Sequence, residues 1–152
     1  MTQPYRIVEA TQEHVRLLGP NLRREDEQEA LAAGVTAKRA VWRSFKASSI
    51  RRTAFIGEDI AAMWGVTGIL LGNVGNPWLL TTDAIEKLPL AFFKEARCQV
   101  RDMLAAHPIL FNYVPESYTR AVRFLALLGF TIDAPAPFGP NRASFHRFHM
   151  ER

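Results

Sequence analysis

The feature that most constrains this chain is a succession of three segments: a short apolar run, a long amphipathic stretch and a second short apolar run. Trp78-Leu-Leu-Thr-Thr reads as a buried strand ended by Asp83. Leu90–Ala106 places Phe92, Phe93, Ala96, Val100, Met103 and Leu104 on one stripe, with Lys94, Glu95, Arg97, Arg101 and Asp102 around the other face. That is the pattern of a helix laid against a core. His107-Pro108 stops it, and Ile109–Val114 is apolar enough for a further strand. Two strands of one sheet joined through a helix run parallel, with a right-handed crossover. Ser117 then caps a helix to Leu128, Gly129 closes it in the C′ position, and Phe130–Ile132 starts another strand. The expected fold class is therefore α/β, a mixed central sheet flanked by helices.

The flanks fit the same sheet. Tyr5–Glu9 alternates like a first strand, and Thr11 caps a brief helix ending near Gly19-Pro20. Asn21 is the expected cap of an acidic helix through Ala33 that Gly34 closes, and Thr36 caps a third helix with Val41, Trp42 and Phe45. Thr53–Gly57 and Ile60–Val66 read as a hairpin turning at Glu58-Asp59, and Ile69–Leu71 either extends its second strand or begins a loop. Gly72-Asn-Val-Gly-Asn-Pro reads as a turn. Asp83 with Glu86 fits a capping box, and Pro89 suits the first turn of the long helix. After a proline-rich loop over Ala134–Pro140, Ser144–Met150 closes a terminal hairpin. With 152 residues and no linker, repeat or low-complexity tract, one domain over residues 1–152 is expected.

No apolar run reaches the roughly 20 residues of a membrane span. Met1–Ala10 has neither a basic region nor a long apolar core of the kind that makes a secretory signal. The lone Cys98, inside the long helix, is expected to face the core. Much of the +4 net charge gathers in Lys38, Arg39, Arg43, Lys46, Arg51 and Arg52, with no acid before Glu58. Lys38, Arg39, Arg43 and Lys46 form a basic helical surface suited to an acidic protein or a phosphate backbone, without the signature of a nucleic-acid module. His146 and His149 stand three apart on a strand, where they face opposite sides and make a poor metal pair. His14 and His107 read as helix-surface or capping residues, and Glu58 and Asp59 as solvated turn residues.

The stretch Ser117-Tyr-Thr-Arg-Ala-Val-Arg-Phe-Leu-Ala-Leu-Leu-Gly-Phe resembles the last block of the GNAT N-acetyltransferases, and the order of elements matches that fold. Pro77-Trp78-Leu-Leu-Thr-Thr-Asp, Phe111-Asn-Tyr-Val and Arg123-Phe-Leu-x-x-Leu-Gly resemble, more closely, small GNAT-like proteins of tailed bacteriophages, of the podovirus internal virion protein kind. The first resemblance implies an acetyl-CoA site, with the pyrophosphate held by backbone N–H groups where the long helix opens. The backbone of Leu79, Leu80 and Thr81 would pair with the pantetheine arm, and Lys87 would assist at the pyrophosphate. Two family features are missing. Thr82–Pro89 has no glycine and brings Asp83 and Glu86, and the position that usually holds the acid-catalytic tyrosine is Leu125. Tyr118, or Tyr113, is left as a proton donor, and Asn112 as a group to orient a substrate amide.

The second resemblance implies a phage origin. The resulting expectation is a GNAT-like virion or assembly component with a degenerate acetyl-CoA site. Its partners would be other phage proteins, and its location the host cytoplasm or the virion. The alternative is an active N-acetyltransferase with a divergent cofactor loop.

Overall fold

A computed structural model describes residues 4–32, 34–68 and 73–152. One eight-stranded sheet organises the chain. Its strands are β1 (Tyr5–Glu9), β2 (Ser48–Ile56), β3 (Asp59–Gly68), β4 (Val74–Thr81), β5 (Ile109–Pro115), β6 (Thr131–Ile132), β7 (Ala136–Phe138) and β8 (Ala143–Glu151). They lie in the order β1-β2-β3-β4-β5-β8-β6, with β7 also on β8. Only β4 and β5 are parallel, joined by the crossover helix α4 (Leu90–Ala106); every other pairing is antiparallel. The mixed α/β class read from the sequence is what the chain adopts.

Two cores flank the sheet. One gathers Trp64, Phe92, Val100, Met103, Leu110, Val114, Phe130 and Phe148, beneath α4 and α5 (Thr119–Leu127). The other holds Val15, Leu18, Leu22, Val41, Phe45, Met63 and Leu80, beneath α1 (Gln12–Leu18) and α3 (Ala37–Ala47). Helix α2 (Arg24–Ala32) runs between these helices and the end of β4. Cys98 is exposed, contrary to the sequence expectation. Phe92, Val100 and Met103 fill the buried stripe of α4, and at ~100° per residue position 98 falls on the far side.

Local chemistry moved several boundaries. Thr11 and His14 form a reciprocal capping box at α1, and Thr36 caps α3 through Arg39 N–H. Asn21 does not cap α2: its amide donates back to Leu17 O and closes the preceding helix. Ser117 is not a cap either, since α5 starts after Tyr118. The Asp83–Glu86 box is replaced by a 3₁₀ turn, Asp83–Lys87, capped by the Thr82 hydroxyl on Ala84 N–H. The proline-rich loop contains β7, whose Phe138 packs on Phe145. Part of the expected Gly72–Pro77 turn lies outside the described residues, but Val74–Pro77 are strand, recruited by pairing with Val66–Gly68 of β3.

His107, expected as a helix-surface or capping residue, is the C-cap of α4 and is buried there, with Nε2 meeting Ser49 Oγ at 2.9 Å. Its ring lies against two backbones that have no side chain to obstruct it. A Cβ on Gly68 would stand 2.2 Å from His107 Cε1, and one on Gly75 would stand 2.9 Å from His107 Cβ and 2.6 Å from Val66 Cγ2. Gly75→Ala is expected to destabilise the fold by about 1–3 kcal/mol through overpacking. Urea denaturation checks this, and a loss below ~0.5 kcal/mol would show that the contact gives way freely.

Candidate functional site

The pairing of β4 with β5 lasts two residues, Val74↔Ile109 and Gly75↔Leu110, and the strands then separate. Residues of a strand alternate the side to which they offer N–H and C=O. On β4, Pro77, Leu79 and Thr81 offer theirs to the gap, while Asn76, Trp78 and Leu80 face β3. Two asparagines bridge the narrow end. Asn76 Nδ2 donates to Phe111 O at 2.9 Å, and Asn112 Nδ2 donates to Pro77 O at 2.8 Å. Asn112 Oδ1 also accepts from Tyr113 N–H at 2.9 Å, so both ends of its amide are engaged within the chain. Pro77 can sit here because its missing N–H points into the gap and removes no ladder bond.

Helix α2 closes the wide end. Thr81 O accepts from the Arg23 N–H at 2.8 Å, and Thr81 N–H donates to Asp26 Oδ2 at 2.7 Å. The Thr81 hydroxyl donates to the same oxygen. Between the asparagine bridge and this closure, Leu79 keeps both its N–H and its C=O without a protein partner among the described residues. Of the expected trio, Leu79 alone keeps its backbone open in the gap: Leu80 is turned to β3, and the groups of Thr81 are engaged by Arg23 and Asp26.

A cavity of about 460 Å³ passes through this opening from one face of the sheet to the other. On the α4–α5 face its wall includes Trp64, Phe92, Phe93, Val100, Leu125 and Phe130. On the α2–α3 face it includes Asp26, Ala30, Val35, Ala40, Ser44 and Trp78. Tyr113 and Tyr118 also line it. The Tyr113 ring is stacked on Phe138 at 4.0 Å, whereas Tyr118 stands half-buried at the start of α5. Several polar groups in the wall are nearly sealed from water, Thr81 and the Arg23 Nε–H among them. Trp64, 6% exposed, has an Nε1–H with no acceptor. Asp26 is 2% exposed and receives both Thr81 bonds on Oδ2. Burial drives the Asp26 pKa above the ordinary carboxylate value, opposed by the Thr81 bonds and by Arg23. No pattern in the residues singles out Asp26, which stands among the acids of a polar helix.

The helix opening differs from its expected charge. Glu86 is engaged by Arg120 at 2.7 Å and Arg23 at 3.2 Å, and these two guanidinium groups hold its carboxyl below the usual range. Asp83 is 96% exposed, and Lys87 is exposed at the end of the same turn. Pro89 is the N-cap of α4 and offers no side-chain acceptor, while Phe92 N–H returns to Pro89 O. The N–H groups of Leu90 and Ala91 have no acceptor among the described residues, at the positive end of a 17-residue helix.

The remaining candidates lie elsewhere. Lys38, Arg39, Arg43 and Lys46 are exposed on the side of α3 away from the cavity, around Trp42. Glu58 and Asp59 are exposed at the β2–β3 turn. His146 and His149 both turn to Asp133, one to its carbonyl at 2.7 Å and one to its carboxylate at 2.9 Å. No cluster of potential metal ligands occurs among the described residues.

No protein-family model matches the chain, and no curated protein does. Solved structures do. A GNAT-family acetyltransferase from Bacillus anthracis superposes with a TM-score of 0.68 at 8% identity, over 99% of this chain and 96% of its own. One from Streptococcus pneumoniae gives 0.65 at 14% identity, over 97% and 99%. A Bacillus subtilis acetyltransferase in complex with CoA gives 0.63 at 10% identity, over 99% of both chains. The chain has the GNAT acetyltransferase fold.

Because burial raises the Asp26 pKa, the folded chain binds that proton more tightly than the unfolded chain does. The resulting stability is full below the ordinary carboxylate value and is lost as pH rises through the raised one. Asp26→Asn removes this dependence, so its stability relative to the parent is expected to climb over that same window and then level off. Thermal melts of both proteins between pH 4 and 8 test the slope; a slope of opposite sign would mean a carboxylate stabilised by its partners.

Proposed function

We propose that the protein is an acetyl-CoA-dependent N-acyltransferase, transferring an acetyl group to an amine at the gap between β4 and β5. The observation that carries this is the strand edge at Leu79, with N–H and C=O unpaired inside an apolar cavity that crosses the sheet. A pantetheine arm carries amide groups that match such an edge.

The residues present fit the rest of the cofactor. Leu90 and Ala91 N–H, with Lys87, supply an anion-receptive helix end without glycines. Arg23 and Arg120 neutralise Glu86, so the acidic turn repels a pyrophosphate less than its sequence implies. The buried Trp64 Nε1–H lacks an acceptor that a carbonyl in the cavity would provide. Bound acetyl-CoA would supply the thioester carbonyl. Trp64, Phe92 and Leu125 would keep that group dry, and the Leu79 N–H would be a donor to its acyl oxygen. Leu125 cannot protonate a departing thiolate, which leaves the Tyr118 hydroxyl in the cavity wall as the protein's donor.

The blocks that resemble phage proteins are β4, β5 and α5, the strands and helix of this opening. None of the structures compared above is a virion protein, and no feature of the fold speaks for an assembly role.

Calorimetric titration with acetyl-CoA is expected to give a micromolar dissociation constant, and no binding at millimolar ligand by the folded protein would remove the proposal. Leu79→Pro deletes one donor from the gap and no ladder bond, so it is expected to weaken binding roughly tenfold, about 1.4 kcal/mol. Undiminished affinity in that variant would rule out pairing at Leu79.

A further inference from the structure

The α2–α3 end of the cavity carries a chemistry that the cofactor does not explain. Its wall is Ala30, Val35, Ala40, Ser44 and Trp78, interrupted by the carboxylate of Asp26. Thr81 satisfies one Asp26 oxygen, and among the described residues no donor reaches the other. The charged groups around it are Glu25 on its own helix and Arg23 just before that helix. Arg23 also lines the cavity; it contacts Glu25 at 3.5 Å, Asp83 at 3.8 Å and Glu86 at 3.2 Å, and its buried Nε–H has no hydrogen-bond acceptor among the described residues. β4 and α3 bring Thr81, Trp78, Ala40 and Ser44 to this part of the wall, none of them ionisable near neutrality. Arg23 is shared with Glu25, Asp83 and Glu86, so a buried carboxylate with one oxygen open toward Ala30, Val35, Ala40 and Trp78 suits a single further cation on an apolar body.

We propose that this end binds the acceptor, that the acceptor is a small primary monoamine with an apolar or aromatic body, and that Asp26 Oδ1 receives its ammonium and takes its proton. The proposal rests on the acyltransferase reading for its chemistry but not for its binding site. Thr81, which holds Asp26, lies two residues from Leu79 on the same strand edge. At about 3.3 Å per residue the carboxylate is anchored some ~7 Å along the edge from the donor that faces the acyl oxygen.

The step balances without a further reactant. The ammonium gives one proton to Asp26, and the freed lone pair forms the C–N bond at the thioester carbon. The C–S bond breaks as the tetrahedral adduct collapses, the Tyr118 hydroxyl gives its proton to the thiolate sulfur, and the second amine proton restores that hydroxyl. Asp26 then releases its proton to solvent. A diamine would leave its second charge stranded against Ala30, Val35 and Ala40, and a neutral alcohol would leave Asp26 uncompensated.

Calorimetry on the full chain with 2-phenylethylamine, 2-phenylethanol and 1,4-diaminobutane tests this directly. The monoamine is expected to bind, with the alcohol and the diamine at least about tenfold weaker. Asp26→Asn retains an acceptor for both Thr81 donors, and is expected to lose at least about tenfold in monoamine affinity while acetyl-CoA affinity stays within about threefold. Ala40→Leu narrows the same wall without touching Asp26, and is expected to weaken the monoamine about fivefold, so the test survives an Asn variant that fails to fold. Equal binding of amine and alcohol, preference for the diamine, undiminished affinity in the variants, or no monoamine binding at millimolar concentration would each overturn the proposal. Acetyl-CoA binding without amine binding sinks only this inference. Amine binding without acetyl-CoA binding sinks only the acyltransferase reading.

Discussion

The structure turns on one refusal to pair: β4 leaves β5 after Gly75 and Leu110. A sheet that stops pairing in its middle must settle every backbone group it exposes, because an unpaired buried N–H or C=O costs about as much as a lost hydrogen bond. Here the settlement is local and nearly complete. Asparagine side chains bridge the narrow end, a proline removes one donor, and the start of α2 closes the wide end at Thr81. What remains is one residue's worth of open strand in an apolar passage. The divergence, the cavity and the candidate site are therefore one feature.

The elements that followed from periodicity were legible in the sequence. The stripe of α4 and the strands on either side of it dictated a parallel crossover, and so the mixed sheet. Segments decided by partners were not. Val74-Gly75-Asn76-Pro77 has turn composition, yet it is strand, because β3 offers it a ladder and His107 needs the space beside Gly75. The strand expected from Thr53 begins earlier, because Ser48–Arg52 pairs with β3 as well.

The site divides the same way. Leu79 and Leu125 were reachable through the resemblance, and both line the cavity. Asp26 was not reachable. In Arg24-Glu-Asp-Glu-Gln-Glu any acid looks solvated, and only the docking of α2 on Thr81 singles one out. The acidity of Thr82–Pro89 was visible but misleading, since Arg23 and Arg120, distant in sequence, cancel Glu86 in space. The aromatic histidine edge at Asp133 and the basic face of α3 stand apart from this centre.

Pro77 has a consequence of a different kind. An unpaired strand edge ordinarily templates the addition of another extended chain, which is how aggregation and strand exchange begin. A proline beside a side-chain amide already bonded to its carbonyl leaves no register in which a foreign strand can zip along β4. The edge leaves room for one amide's worth of backbone and none for an extended polypeptide, so the geometry that holds the gap open also denies a second copy a strand to pair with there.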